Sequence, residues 1–129
     1  MLDSSVWISL FSEDSQLEKA LRILMLIPEK GMRIIVPIIV YLEVINWLNR
    51  QKFDNNKRDE IRNIFLHGKK IIITYPEKGL WYKAVENYGR KVKLKSLDLL
   101  ILSFALDSQV AEFYSFDKKL YRAYQELTR

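Results

Sequence analysis

Short runs of β-branched residues alternate with longer segments of helical periodicity, and this alternation limits the fold more than any other feature of the chain. The runs at 33–37 and 70–74 are typical of strands, and shorter strand signals lie at 1–2 and 112–115. Strands that are separated by helices are joined by right-handed crossovers and form a parallel sheet. The sequence therefore predicts one α/β domain that spans residues 1–129, with helices on both faces of the sheet.

Helical segments are predicted between and after these strands. Their ranges are 6–11, 16–27, 38–51, 55–67, 76–88, 97–106 and 118–127. Pro28 and Gly31 are expected to end the second helix, and Pro76 is expected to open the fifth. Asp54 or Asn55 is expected to cap the fourth. The helix at 97–106 is apolar on nearly every side, so we expect it to be buried.

The side chains that are missing exclude several classes of active site. The chain has no cysteine, which rules out disulfides, thiolate–zinc sites and a cysteine nucleophile, and which fits a reducing cytoplasm. Its one histidine, His67, precedes a glycine that is expected to end a helix, so a structural role is favoured. Zinc sites built on histidine and serine–histidine–aspartate triads are therefore disfavoured.

Net charge and hydropathy indicate the kind of partner. A net charge of +5 favours polyanions, mainly nucleic acid. The longest apolar run, 34–42, contains Pro37 and is far shorter than the roughly 20 residues of a membrane-spanning helix. The first residues also lack the basic segment of a signal peptide. We therefore expect no membrane association.

Four acidic residues lie among apolar neighbours. They are Asp3, Glu43, Asp98 and Asp117. A carboxylate in such surroundings is costly unless it is paired or bound to a metal ion. The remaining acids lie in ordinary polar stretches, and Asp107, near the end of its helix, is interpreted as a surface residue. The four acids are therefore the candidates for chemistry.

The positions of these acids predict that they meet. Asp3 and Asp117 directly follow the first and last strands, and Glu43 lies one to two turns into the helix after the second strand. Sites in parallel sheets form at the carboxyl ends of the strands, and Asp98 joins them if its helix starts there. Converging carboxylates repel one another, and Mg²⁺ or Mn²⁺, which prefer oxygen ligands, would relieve that repulsion. Such an ion can activate water for attack on a phosphodiester.

Each acid also has a simpler structural interpretation. Three are placed where a side chain can cap the helix that follows: Asp3, Asp98 and Asp117. Ser96 is a competing cap for the helix that contains Asp98. Glu43 could pair with Arg50 or lie on a narrow polar stripe of its helix with Asn46.

Taken together, these residues resemble the PIN-domain family. In size and order of motifs, the chain is most similar to the VapC-type toxin ribonucleases of toxin–antitoxin modules. The segment 2–6 is similar to the start of that family, where Ser or Thr follows the first metal-binding acid. The segments 36–43 and 97–105 resemble its second and third motifs. The segment 113–117 resembles the fourth, with Ser115 at the usual Ser or Thr position.

The resemblance implies a PIN-like three-layer α/β/α sandwich around a mostly parallel, five-stranded sheet. It implies a ribonuclease dependent on Mg²⁺ or Mn²⁺, a frequent homodimer and, for a toxin, a cognate antitoxin as partner. The residues implied to bind metal and act in catalysis are Asp3, Glu43, Asp98 and Asp117. Two departures are notable. Only two residues precede Asp3, which predicts a very short first strand or a translation start further upstream, and the third motif has bulkier apolar residues than is common in the family.

A basic run just before Asp98 is the expected contact with RNA phosphates. It contains Arg90, Lys91, Lys93 and Lys95. A solvated loop explains the same pattern equally well.

Two other functions are alternatives to a ribonuclease. A catalytically silent PIN-like module that binds RNA or protein is disfavoured by the retention of all four acids. A receiver-like signalling domain would need a phosphoacceptor aspartate after the mid-chain strand, and residues 71–75 offer none. The sequence also has no Walker A loop or glycine-rich dinucleotide motif.

Overall fold

The computed structural model describes the backbone of residues 1–129 and all side chains except those of Pro28, Trp81 and Val85. The helices are α1 (Ser4–Ser12), α2 (Leu17–Glu29), α3 (Ile38–Asn49), α4 (Asn55–His67), α5 (Leu80–Lys83), α6 (Ser96–Asp107) and α7 (Lys118–Leu127). The strands are β1 (Ile34–Pro37) and β2 (Ile71–Thr74). A π-helical segment, Ala84–Tyr88, continues α5.

The strands are parallel, as the sequence predicts. β1 pairs with β2 along its whole length, from Ile34 opposite Ile71 onwards, and α3 and α4 form the connection between them. A separate parallel bridge joins Leu2 to Tyr114. Within the described chain, regular strands form only at β1 and β2, because the segments at Leu2 and Tyr114 are too short to extend the ladder. The five-strand count stays a prediction.

Helix boundaries follow the local signals in one place and depart from them in two. Asp54 caps α4, as predicted, by accepting a hydrogen bond from the Lys57 backbone N–H at 2.8 Å. The helix α2 extends two residues beyond its predicted end at Ile27, to Glu29, and Gly31, one of the two predicted stop residues, then adopts a left-handed φ of 64°. The expected start of the fifth helix at Pro76 was wrong. Gly79 has a φ of 116°, which a helix cannot contain, so α5 begins only after it.

The core is built around α6. Every residue from Leu99 to Ala105 is buried, which confirms the prediction from its apolar sequence. This helix packs against α3, α5, the π-helical segment and α7. On the other side of the core, Trp7 of α1 makes an edge contact with Phe65 of α4, with ring centroids 4.8 Å apart. Burial of α6 fixes the position of its first turn, which contains Asp98.

Among the described helices, none has the combination of length and apolar character that crossing a bilayer requires.

Candidate active site

Asp3 lies at the start of α1 and is almost completely buried, with 3% of its surface exposed. Its Oδ2 accepts hydrogen bonds from the hydroxyls of Ser115, at 2.8 Å, and Ser5, at 3.0 Å. The Ser4 hydroxyl lies 3.4 Å from its Oδ1. Among the described contacts, the carboxylate makes no bond to the backbone of α1, so the simpler interpretation of Asp3 as a helix cap does not hold. Serine hydroxyls hold this side chain instead.

Two of these serines connect α1 to the segment that follows Tyr114. The Ser5 hydroxyl accepts a hydrogen bond from the Phe116 backbone N–H at 3.0 Å, and the Ser115 hydroxyl accepts one from the Asp117 N–H at 3.0 Å. Each hydroxyl therefore donates to the carboxylate and accepts from the backbone, which uses its proton and one lone pair. This arrangement fixes Asp3 relative to the segment that contains Asp117.

Glu43 is half-buried on α3 and makes its hydrogen bond to another helix. The Ser4 hydroxyl donates to its Oε2. Among the described residues, Glu43 makes no ion pair with Arg50, so the first of its simpler interpretations does not hold. The contact between α3 and α1 brings Glu43 beside Asp3.

The carboxylates influence one another electrostatically. Burial raises the pKa of Glu43; the Ser4 hydrogen bond opposes this rise, and the charges of Asp3 and Asp98 add to it. Burial also raises the pKa of Asp98, with further increases from the charges of Asp117 and Asp3. Glu43 and Asp98 therefore both respond to Asp3. The structure brings all four predicted acids into one electrostatic cluster.

Asp98 and Asp117 have different local roles. Asp98 is half-buried in the first turn of α6, and among the described contacts neither it nor Ser96 caps that helix. Asp117 is exposed and does cap α7, because its Oδ1 accepts from the backbone N–H groups of Lys119, at 2.9 Å, and Leu120, at 3.1 Å. Capping uses only Oδ1, so the cap does not exclude a second role for Oδ2.

The donor set suits a hard divalent cation, although it is not arranged as a finished site. Carboxylate oxygens are the ligands that Mg²⁺ and Mn²⁺ prefer, and burial, with neighbouring carboxylates, raises the pKa of Glu43 and of Asp98. Among the described residues, however, no three acidic, histidine or cysteine side chains stand close enough together to hold an ion. The residue types in the cluster therefore suit a divalent cation, but in this structure the described side chains are not spaced to bind one.

The predicted RNA contacts lie on the surface beside this cluster. They are Arg90, Lys91, Lys93 and Lys95, and all four are exposed. Lys95 occupies the N-cap position of α6, three residues before Asp98. Its charge, with that of Lys119, partly offsets the rise in the pKa of Asp98. Lys119 is a basic neighbour that the sequence analysis did not single out.

Sequence analysis also missed Ser4 and Ser5 as individual contributors. Both donate hydrogen bonds to site carboxylates, as Ser115 does. The available signal was a pair of serines directly after an acid in an apolar segment, because such an acid needs nearby donors when it is buried.

Comparisons with known proteins give the family and the fold of the chain. The family model described as PIN domain matches residues 1–126. Among solved structures, the chain is similar to the crystal structure of Mycobacterium tuberculosis VapC20, described as a sarcin–ricin loop cleaving toxin, with a TM-score of 0.75. The two are 18% identical over 95% of this chain and 92% of that one, so this likeness shows a shared fold. The comparison with curated protein sequences finds no significant match.

Proposed function

Because this chain belongs to the PIN-domain family, we propose that it is a metal-dependent endoribonuclease that hydrolyses RNA phosphodiester bonds, and that it acts as the toxin of a type II toxin–antitoxin module. The observation that carries the proposal is the electrostatic coupling of four acids from distant parts of the chain. Structural ion pairs would join acids to bases, whereas among the described residues the ion pairs are Arg22–Glu18 and Lys30–Glu112, so none involves these four acids. Such an arrangement is unfavourable until a cation enters it.

The proposed metal ligands are Asp3, Glu43, Asp98 and Asp117. A bound Mg²⁺ or Mn²⁺ would supply a Lewis acid that lowers the pKa of a water molecule and neutralises charge on the phosphodiester. The chain's own contribution is to position these oxygens. Serine hydroxyls restrict Asp3 and Glu43, and two N–H groups of α7 restrict Asp117. Ser115 supports the site because it holds Asp3 and the Asp117 backbone at once.

The family and the net charge support a proposed substrate and proposed partners. The structural neighbour is described as a toxin that cleaves the sarcin–ricin loop, which supports RNA as the substrate class. The proposed phosphate contacts are the exposed residues Arg90, Lys91, Lys93 and Lys95. We further propose a homodimer in the cytoplasm that is inhibited by a cognate antitoxin.

One observation favours a second candidate, a catalytically silent PIN-like module that binds RNA or a protein. The described carboxylates are not yet spaced as a ligand set, and the serines already occupy Asp3. In a silent module, the serine hydroxyls would serve only to satisfy the hydrogen-bond acceptors of a buried carboxylate. The two candidates differ in whether the cluster binds a divalent cation.

Metal titration and RNA cleavage together test the proposal. We expect Mn²⁺ to bind the purified chain in calorimetry, and we expect an Asp98→Asn variant to bind it much more weakly. Cleavage of labelled RNA should require Mg²⁺ or Mn²⁺ and stop in EDTA. A chain that binds RNA but shows no Mn²⁺ binding dependent on Asp98 would be the silent module.

A further inference from the structure

A groove on the protein surface separates the segment before α6 from the first half of α7. Its outer part has a volume of about 420 Å³ and is lined by Lys91 and Lys93 on one side and by Lys118 and Arg122 on the other. Its inner part, of about 550 Å³, also includes Lys93 and is lined by Lys95. The two parts adjoin one another, because they share four lining residues: Val92, Lys93, Leu94 and Lys119.

The walls of this groove are strongly basic. Six cationic side chains line it, and all are exposed: Lys91, Lys93, Lys95, Lys118, Lys119 and Arg122. Glu126, one helical turn beyond Arg122, is the single acid among the lining residues. Among the described side chains, the ion pairs are Arg22–Glu18 and Lys30–Glu112, so none involves the six cations of the groove. Their charges are available for an external anion.

The second wall results from the periodicity of α7. Positions 118 and 122 are four residues apart, so Lys118 and Arg122 lie on the same face of the helix. Leu120 is buried on the opposite side and anchors the helix to the core. This anchoring holds the basic face of α7 against the basic run before α6.

The basic walls lie near the carboxylate cluster, because the charges of Lys95 and Lys119, which line the inner part of the groove, act on Asp98. Lys95 and Ser96 lie three and two residues before Asp98 in the chain. On the other wall, α7 begins at Lys118, immediately after the capping residue Asp117. Each basic wall therefore ends next to one of the acids of the cluster.

We propose that this groove binds the phosphodiester backbone of RNA on one side of the bond that is cut, with Lys118, Lys119 and Arg122 as a second wall of phosphate contacts. The inference rests on the proposed function, because it is the carboxylate cluster that gives the groove its direction. A row of unpaired cations matches the regular charge of a nucleic-acid backbone. Val92 and Leu94 add apolar surface within the groove, which suits sugars and bases better than an acidic peptide.

Binding of a single-stranded RNA by variants of the full chain tests this proposal. The probe is a fluorescein-labelled, mixed-sequence RNA of about 20 nucleotides, measured by anisotropy in EDTA over a range of salt concentrations. The groove variant is Lys118→Gln combined with Arg122→Gln. The matched control is Lys69→Gln combined with Lys70→Gln, which removes the same charge from exposed positions outside the groove.

We expect the groove variant to weaken RNA binding by roughly tenfold at low salt and the control to weaken it much less. Each lost phosphate contact on a single strand lowers the salt slope by about 0.7, so the groove variant should lose about 1.4. Equal weakening by both variants, or no binding by the native chain at low salt, would overturn the proposal. The proposal would also be overturned if the groove variant lost binding to polyglutamate but kept its binding to RNA, a result that would indicate a protein partner.

These outcomes separate the groove from the nuclease. Metal-dependent cleavage that is equally efficient in the groove and control variants would reject the groove and keep the proposed function. Groove-dependent RNA binding without any cleavage would keep the groove and reject the nuclease.

Discussion

Replacement of Asp3 by asparagine should abolish RNA cleavage while the fold stays almost equally stable. The amide oxygen can take the position of Oδ2 and still accept hydrogen bonds from Ser5 and Ser115. The amide nitrogen then lies where Oδ1 was, near the Ser4 hydroxyl. Ser4 donates its own proton to Glu43, so its oxygen can accept from the new amide. The substitution is therefore nearly isosteric and keeps the described hydrogen bonds.

The expected change in stability is small because two effects oppose each other. The two serine hydrogen bonds lose charge assistance, which destabilises the fold by roughly 1 kcal/mol each. Removal of a charge from a side chain that is only 3% exposed relieves a desolvation penalty of about the same size or more. We expect a net change within about 1 kcal/mol of zero. Cleavage should fall at least about 100-fold, since even the loss of an outer partner lowers metal affinity or activity by about 10- to 100-fold.

Single-turnover cleavage of labelled RNA in Mn²⁺, together with urea unfolding, measures both effects. Ser115→Ala is the matched control, because it keeps the Asp3 charge and removes one donor, so we expect roughly a tenfold loss of cleavage. Native-rate, metal-dependent cleavage by Asp3→Asn would refute the assignment of Asp3. A loss of more than about 3 kcal/mol would refute the hydrogen-bond reasoning. In that case Asp98→Asn, at a half-buried position, tests the cluster without the same burial.

The remaining predictions concern pH and local stability. Glu43 and Asp98 have raised pKa values in the folded state, above their unfolded pKa values of 4.5 and 3.8. Their protonation therefore stabilises the fold fully below the unfolded pKa values. This stability is lost as the pH rises through the folded pKa values. In EDTA, the melting temperature of Asp98→Asn relative to the native chain should therefore increase as the pH rises above 3.8, and a constant difference would contradict the coupling. Asp54→Ala removes the α4 cap and should lower the free energy of unfolding, measured in urea, by about 1 kcal/mol. Asp59→Ala is the control, because it removes an aspartate from the same helix and leaves the cap in place.

Much of the local structure was predictable because the signals are short-range. Asp54 caps α4 through its own side chain, and the apolar run around Ile101 is buried as its composition requires. The two errors at helix ends have a local cause that the sequence shows only weakly. Gly79 adopts a φ of 116°, and this backbone conformation overrides Pro76 as a start signal. Pro28 does not end α2 at Ile27, because the helix runs to Glu29 before the left-handed Gly31 follows.

The identity of the candidate acids was also predictable, but their contacts were not. An acid among apolar neighbours is visible in the sequence, and so is its place after a strand. The hydrogen bond from Ser4 to Glu43 joins residues that are 39 positions apart, and the hydrogen bond from Ser115 to Asp3 joins residues that are 112 positions apart. Such pairs depend on how α1, α3 and the last segment pack, and no local pattern specifies them.

The sequence by itself determined the alternation of strands and helices, the buried character of α6 and the four acids that belong to no ordinary polar face. These follow from side-chain chemistry and periodicity, which act over a few residues. Only the tertiary structure decided that Ser115 restrains Asp3 and that α7 forms a basic groove with the run before α6. These features arise because packing of the buried helix faces fixes which distant surfaces come together.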